Sequence, residues 1–137
     1  MNPKYMLDTN IFIYLMKHQP PEVRERFAQC FVGDVVISAV TLAELEFGIA
    51  CSSTAAQETN RAALGSLLED IMVAPFDAAA ARAYGPIRAA YKDRHRDALD
   101  KLIASHAVAL GVTLVTNNEA DFVNYTGLHV ENWVSNH

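Results

Sequence analysis

The sequence is poor in the features that mark secreted, membrane-spanning or covalently catalytic proteins. Its two cysteines, Cys30 and Cys51, form no CxxC pair, so we interpret them as reduced thiols and expect a cytoplasmic protein. No apolar run approaches the roughly 18 uncharged residues of a membrane span. The first residues lead straight into a predicted strand, so we expect no signal peptide. A nucleophile elbow, a phosphate-binding glycine loop and an HExxH zinc pair are all missing. These absences are consistent with chemistry that needs no side-chain nucleophile.

Basic residues are also scarce. The chain has 11 lysines and arginines against 16 acids, a formal charge of −5, which argues against a general nucleic-acid coat. An enzyme of nucleic acids is still compatible with this balance, because four clustered acids would hold most of the excess charge and bound cations would reverse it locally. The stretch 88–96 is locally basic. Such a cluster is usually a solvated helix face, but Lys92, Arg94 and Arg96 are also candidates for steering a charged substrate.

What the chain does contain is a high proportion of apolar residues, 51%, arranged in short runs. The runs lie at 5–7, 35–38, 71–75, 112–116 and 128–130, and most of them stop abruptly at polar residues, as buried parallel strands do. Amphipathic stretches between them predict helices. We therefore predict an α/β fold with three layers, in which helices flank a mainly parallel central sheet, and a single domain over residues 1–137. The apolar content also predicts a surface that is buried against a partner or a second copy.

Acidic residues follow the predicted strands or begin the helix before the fourth one. Asp8 follows the first strand, Glu44 follows the second by a short turn, Asp100 begins the helix, and Glu119 and Asp121 follow the fourth strand. Loops at the carboxyl ends of parallel strands build functional sites. Clustered carboxylates repel one another unless a cation lies between them, and Mg²⁺ or Mn²⁺ suits an all-oxygen site. The pattern predicts metal-dependent hydrolysis of a phosphodiester by an activated water.

The first, second and last of these acidic positions also have a purely structural interpretation. Asp8 could cap the helix that follows it. Thr41 and Glu44 have the spacing of a capping box, and Glu46 could replace Glu44 on spacing alone. Residues 116–121 could form an ordinary Asx-rich turn. The functional interpretation therefore depends on all the acids meeting at the same edge of one sheet.

Asp100 has the strongest individual case for a functional role. Asp97 could cap its helix, Asp100 could complement the helix dipole, and Asp97 could compete with it as a ligand. However, the residues three, four and seven positions after Asp100 are apolar: Ile103, Ala104 and Ala107. A carboxylate drawn toward a core costs several kcal/mol, on the order given for buried ions, unless it is paired or binds a metal. This register favours Asp100 over Asp97.

Five short motifs occur in a fixed order along the chain. They are Met6-Leu7-Asp8-Thr9-Asn10; Ser38-x-x-Thr41-x-Ala43-Glu44-Leu45-x-x-Gly48; Asp100-x-x-Ile103-Ala104-x-His106-Ala107; Val115-Thr116-Asn117-Asn118-x-x-Asp121-Phe122; and Gly127-Leu128-x-Val130-Glu131-x-Trp133. Each motif is weak by itself, but the ordered set resembles PIN-domain ribonucleases, and within them the VapC-type toxins of bacterial toxin–antitoxin pairs.

The resemblance implies a PIN fold with an acidic pocket for Mg²⁺ or Mn²⁺, and endonucleolytic cleavage of RNA, often tRNA. It assigns the principal acids to Asp8, Glu44 and Asp100, and the fourth to Asp121, with Glu119 and Asn118 as alternatives. It also implies supporting polar positions at Asn10, Ser38 and Thr116. Partners implied by the resemblance are a small antitoxin, which places a segment in an apolar groove with a basic side chain near the acids, and a second copy of the chain. Homodimers and toxin–antitoxin hetero-oligomers are therefore expected.

The sequence departs from the family in one loop. Relatives often carry glycine and proline before the third acid, whereas residues 92–98 contain neither. Two rival interpretations stay open at this point. One is a PIN-like module that binds a partner and has weak or no catalysis. The other is a phosphohydrolase or receiver domain, although Asp8-Thr9-Asn10 lacks the second acid that an aspartyl nucleophile usually has beside it.

Overall fold

The structure is a computed structural model, and it describes residues 2–90, 98–122 and 125–134. Lys92, Arg94, Arg96 and Asp97 lie outside this part of the chain. The steering role of the three basic residues, and the cap or ligand role of Asp97, therefore stay predictions.

Five strands and seven helices lie within the described residues. The strands are β1 (Tyr5–Leu7), β2 (Val35–Ser38), β3 (Met72–Ala74), β4 (Thr113–Val115) and β5 (His129–Glu131). The helices are α1 (Thr9–Lys17), α2 (Pro21–Ala28), α3 (Ala39–Ala50), α4 (Thr54–Leu68), α5 (Ala78–Ala90), α6 (Ala98–Leu110) and α7 (Glu119–Phe122).

The strands form one parallel sheet in the order β3-β2-β1-β4-β5. The sheet is apolar on both faces, because helices cover both of them as a parallel sheet requires. Leu7 and Ile37 pack with α1 to α4 on one face, while Met6, Val36 and Leu114 pack with α5 and α6 on the other. The predicted three-layer α/β fold with a mainly parallel sheet is confirmed.

β1 lies in the middle of the sheet, between β2 and β4. Its carboxyl end therefore lies beside the carboxyl ends of β2 and β4, where the segments that follow those two strands begin. Asp8 follows β1, Ser38 ends β2, and Thr116 follows β4. The topology thus brings three of the predicted site positions to one edge of the sheet, although 108 residues separate Asp8 from Thr116 along the chain.

Two local predictions need correction. The predicted cap of α3 at Thr41 is wrong: Ser38 caps this helix, and its Oγ accepts a hydrogen bond from the N–H of Val40 at 3.1 Å. Ser38 is extended, as the last residue of β2, so the helix begins at Ala39, three residues before the start that a cap at Thr41 would give. After β4, a threonine rather than an Asn or Asp side chain closes the turn: the N–H of Asn118 donates to Thr116 Oγ1 at 3.0 Å, and the chain then enters α7.

Arg26 holds the last strand against the rest of the sheet. Its guanidinium donates to the hydroxyl of Tyr5 at 3.0 Å and to Glu131 Oε1 at 3.2 Å. It also lies over the rings of Tyr5 and Trp133, 5.4 and 5.3 Å from their centroids. Trp133 is itself buried.

None of the helices in the described ranges has both the length and the apolar composition needed to cross a lipid bilayer.

Candidate acidic site

Asp8 is the most enclosed acid at the carboxyl edge of the sheet, with 7% of its surface exposed. It caps α1, because its Oδ1 accepts the N–H of Ile11 at 2.9 Å. The hydroxyl of Thr116 also donates to this carboxylate, and the backbone N–H of Asn10 lies close to it. The capping interpretation is therefore correct, and it leaves further carboxylate lone pairs for another ligand.

Glu44 reaches this site from α3. Its Oε1 accepts a hydrogen bond from Thr9 Oγ1 at 2.6 Å, across 35 residues of chain. It does not return to the start of its own helix as a capping box would require. Thr9 directly follows Asp8, so the contact brings the two carboxylates into one neighbourhood. Glu46, whose spacing would also suit this role, does not replace Glu44. It forms an exposed ion pair with Arg61 at 3.0 Å.

The electrostatics of Asp8 reflect both its burial and this neighbour. Burial raises the pKa of Asp8 above its ordinary value of 3.8, and the negative charge of Glu44 raises it further. The hydrogen bonds from Thr116 and from the backbone of Ile11 and Asn10 act in the opposite direction but have the smaller effect. A nearby positive charge would therefore stabilise the charged form of Asp8 in the folded protein.

The helices that follow the strands partly offset this negative charge. α1 and α3 both begin at the carboxyl edge of the sheet, so their amino-terminal N–H groups, which carry partial positive charge, point toward the acids. The same arrangement favours a phosphate group at this edge.

Asp100 lies in the first turn of α6 and is half-buried. The apolar register predicted for its helix is correct, since Ile103, Ala104 and Ala107 are all buried. α6 packs against α3 and β4, so Asp100 lies near the start of a helix that contacts two of the elements forming the Asp8 site.

The fourth predicted position is more open. Asp121 and its alternatives Asn118 and Glu119 are all exposed, with Asp121 and Glu119 on the short helix α7. Among the described residues, no three acidic, histidine or cysteine side chains lie close enough together to enclose a metal ion. The structure therefore brings Asp8, Glu44 and Thr116 together, and it does not gather Asp100 and Asp121 with them into a complete ligand set.

The donor set at Asp8 and Glu44 nevertheless fits a hard divalent cation. Both groups offer carboxylate oxygens, which Mg²⁺ and Mn²⁺ prefer. One turn before Glu44, the buried hydroxyl of Thr41 has no hydrogen-bond partner within the described part of the chain. A buried polar atom without a partner is unusual in proteins, and a hydrated cation would bring water molecules that can satisfy it.

Two residues of the site were not predicted as site residues. Thr9 orients Glu44, and His106 contacts Ser38 with its Nδ1 2.7 Å from Ser38 Oγ. The separations along the chain, 35 and 68 residues, explain why spacing could not find these contacts. A signal for Thr9 was its place between Asp8 and Asn10 in the first motif.

Comparison with known proteins identifies the family to which this fold belongs. The family model described as PIN domain matches residues 5–128. The tRNA(fMet)-specific endonuclease VapC of Shigella flexneri is 42% identical over 132 residues, which cover 95% of this chain and 98% of that protein.

Solved structures agree. The DNA-bound VapBC complex of Salmonella typhimurium contains a chain with a TM-score of 0.86 and 35% identity, covering 96% of this chain and 99% of that one. VapBC2 of Rickettsia felis, bound to a DNA fragment from its promoter, gives a TM-score of 0.82 at 32% identity, with 95% and 98% of the two chains covered.

The fold and the site thus define an α/β domain that gathers acids at the carboxyl edge of a parallel sheet. The chain belongs to the PIN-domain family, and within that family to its VapC group.

Proposed function

We propose that this chain is a metal-dependent endoribonuclease and the toxin of a toxin–antitoxin pair. The observation that carries the proposal is the pairing of the enclosed Asp8 with Glu44 at the carboxyl edge of the sheet. The names of its relatives, an endonuclease specific for tRNA(fMet) among them, support the reaction and the substrate class. An enzyme that cuts tRNA works where tRNA is present, so the proposal also places the protein in the cytoplasm.

Mg²⁺ or Mn²⁺ would be held by Asp8, Glu44 and Asp100, with Asp121 as the fourth acid. When bound, the ion supplies positive charge for the phosphate oxygens and lowers the pKa of water. The protein residues prepare this site. Thr9 holds Glu44 in place, Thr116 and the start of α1 orient Asp8, and the amino-terminal ends of α1 and α3 favour the approach of a phosphate.

The antitoxin partner is supported by a groove beside the acids. This groove has a volume of about 260 Å³ and runs between α1, α3 and α4. Its walls include Ile13, Met16, Leu45 and Ile49, and Glu44 lies among the lining residues. An apolar segment of a partner would fill it, and a basic side chain on that segment could pair with Glu44. Several similar solved structures are toxin–antitoxin complexes, which favours such a partner. We further propose that the chain forms homodimers within a hetero-oligomer.

The acids can be tested directly. The wild-type chain, Asp8→Asn and Asp100→Asn are compared for cleavage of initiator tRNA in Mg²⁺ or Mn²⁺, and with both ions removed by chelation. Each substitution removes one negative charge at nearly constant side-chain volume. We expect the rate of cleavage to fall at least about 100-fold, because the acidic ligands of such a site act together.

Glu69→Gln is the matched control. Glu69 is exposed and follows α4, at the end that leads into the amino end of β3, so the same loss of charge should leave cleavage unchanged. Near-wild-type cleavage by both aspartate variants, or full activity in chelator, would refute the proposal. A wild-type chain that binds Mn²⁺ but cuts no RNA would favour a partner-binding module instead.

A further inference from the structure

His106 is a buried, ionisable side chain that the proposed reaction does not use. It lies on the sixth helix with 1% of its surface exposed. Its Nδ1 atom is 2.7 Å from Ser38 Oγ, and the edge of its ring meets Phe76, 5.4 Å between centroids at 77°. A polar side chain in such a place needs a structural or functional reason.

The protons of this contact can be assigned from the groups present. Ser38 Oγ already accepts the N–H of Val40 in capping α3. Burial lowers the pKa of His106 below 6.5, although the Asp77 carboxylate and the Pro75 carbonyl act to raise it, so the ring is neutral near neutral pH. A neutral ring can accept at Nδ1, and the Ser38 hydroxyl still has a proton to donate. With the ring proton on Nε2, the Ser38 hydroxyl donates to His106 Nδ1 while its oxygen accepts from the helix.

This hydrogen bond joins α3 and α6, the helices that carry Glu44 and Asp100. Ser38 is the cap of α3 and lies six residues before Glu44, while His106 lies six residues after Asp100 on α6. Six helical residues rise about 9 Å. The bond therefore fixes each helix at a point about equally far from its acid. Because a helix is rigid over this length, fixing that point also restricts where the acid lies.

We propose that His106 is a positioning residue that sets the distance between Asp100 and the Asp8–Glu44 pair through its hydrogen bond to Ser38. This inference rests on the proposed function, because it takes Asp100 as the third metal ligand. Among the described residues the three acids do not form a complete ligand set, so binding a cation must draw Asp100 toward the other two. Without the bond, α6 loses one of its contacts with α3, and this approach of Asp100 becomes less favourable.

The rival explanation is that His106 only fills space in the core. The two explanations differ in what a substitution does to metal affinity. A side chain that only fills space affects metal binding through folding stability alone. Any substitution on the same helix face that destabilises the fold equally would then lower metal affinity equally. A positioning residue matters through the bond to Ser38, so a side chain that keeps an acceptor for Ser38 should preserve metal affinity.

The experiment measures Mn²⁺ affinity by calorimetry on the full chain, together with unfolding and with cleavage of initiator tRNA. His106→Leu removes the acceptor. We expect Mn²⁺ affinity to fall roughly 10- to 100-fold, as for other residues that orient metal ligands, with kcat reduced more than KM is changed. His106→Asn places an amide oxygen near the original Nδ1 and should recover most of the affinity. His106→Gln places its oxygen further out and should recover less. Adding Ser38→Ala to His106→Leu should weaken Mn²⁺ binding little further.

Val108→Ala is the control for general loosening, because Val108 is partly buried on α6 and packs against the apolar cluster beneath that helix. It should retain Mn²⁺ affinity even when it lowers stability. Wild-type affinity in folded His106→Leu, or an equal loss of affinity in Val108→Ala, overturns the inference. If His106→Leu fails to fold, the asparagine and glutamine variants decide, and an asparagine variant no better than glutamine overturns it. A wild-type chain that neither binds Mn²⁺ nor cuts tRNA overturns the proposed function, and this inference with it.

Discussion

Replacing Asp8 by asparagine should stabilise the metal-free protein while it destroys the site. Asp8 is almost fully enclosed, and its pKa is raised by burial and by Glu44. Its charged form is therefore less favourable in the folded than in the unfolded chain. Asparagine is as good a helix cap as aspartate, so the contact to the N–H of Ile11 should survive. Its NH₂ group can also donate to a carboxylate such as that of Glu44.

The expected size follows from these opposing effects. The net rise in the pKa of Asp8 already includes the opposing effect of the hydrogen bond from Thr116. Removing the desolvated charge contributes about 1.4 kcal/mol for each unit by which folding raises the pKa, and the penalty for an enclosed ion reaches several kcal/mol. We expect a net gain of about 1 kcal/mol at neutral pH, or roughly 4 °C in Tm for a chain of this size.

The pH dependence has a definite sign. Because the folded-state pKa of Asp8 lies above 3.8, the folded chain binds a proton more tightly than the unfolded chain does. The stability that this proton contributes is complete below pH 3.8 and is lost as pH rises through the folded-state pKa. Asp8→Asn has no such group. Its advantage over the wild type should therefore be small at about pH 4 and should grow as pH rises toward about 7.

Thermal and urea unfolding in chelator measure this difference. Asp77→Asn is the matched control, because Asp77 Oδ1 accepts the N–H of Ala80 at 3.0 Å in the same capping geometry, but Asp77 is exposed. We expect this variant to lose a few tenths of a kcal/mol or stay unchanged. An Asp8→Asn protein less stable than the wild type without metal, or an advantage that shrinks as pH rises, would refute the electrostatic reasoning.

Three further outcomes are expected. Mn²⁺ at about 100 times its Kd should stabilise the wild type by about 2.7 kcal/mol in thermal unfolding; no shift in Tm at any Mn²⁺ concentration would contradict the metal site. Thr9→Val removes the hydrogen bond to Glu44 Oε1 and should weaken Mn²⁺ binding about tenfold by calorimetry, whereas Thr9→Ser should bind like the wild type. Arg26→Leu should lower the free energy of unfolding by about 1 to 2 kcal/mol in urea, mostly through loss of the bond to Tyr5 and of the ring contacts. The half-exposed ion pair with Glu131 adds little. An unchanged urea midpoint would show that β5 is held by other contacts.

Local patterns in the sequence were enough to predict the layers of this protein. Short apolar runs that end at polar residues identified the strands, because a strand covered on both faces must be apolar throughout. The same rule placed Asp8 at a strand end, and the apolar register of Ile103, Ala104 and Ala107 correctly gave the buried face of the helix that begins near Asp100. These are properties of residues close together in the chain.

Only the tertiary structure decided which residues meet. The capping box at Thr41 satisfied every local rule, yet Ser38 caps α3 and Glu44 bonds to Thr9 instead. The parallel pairing of β1 and β2 brings this partner close from 35 residues away. The Ser38–His106 contact spans 68 residues for the same reason. Hydrogen-bond partners are chosen by distance in space, and the order of strands in the sheet sets that distance. The spacing of residues along the chain therefore predicts the helices and strands, whereas the order of strands in the sheet determines which residues contact each acid.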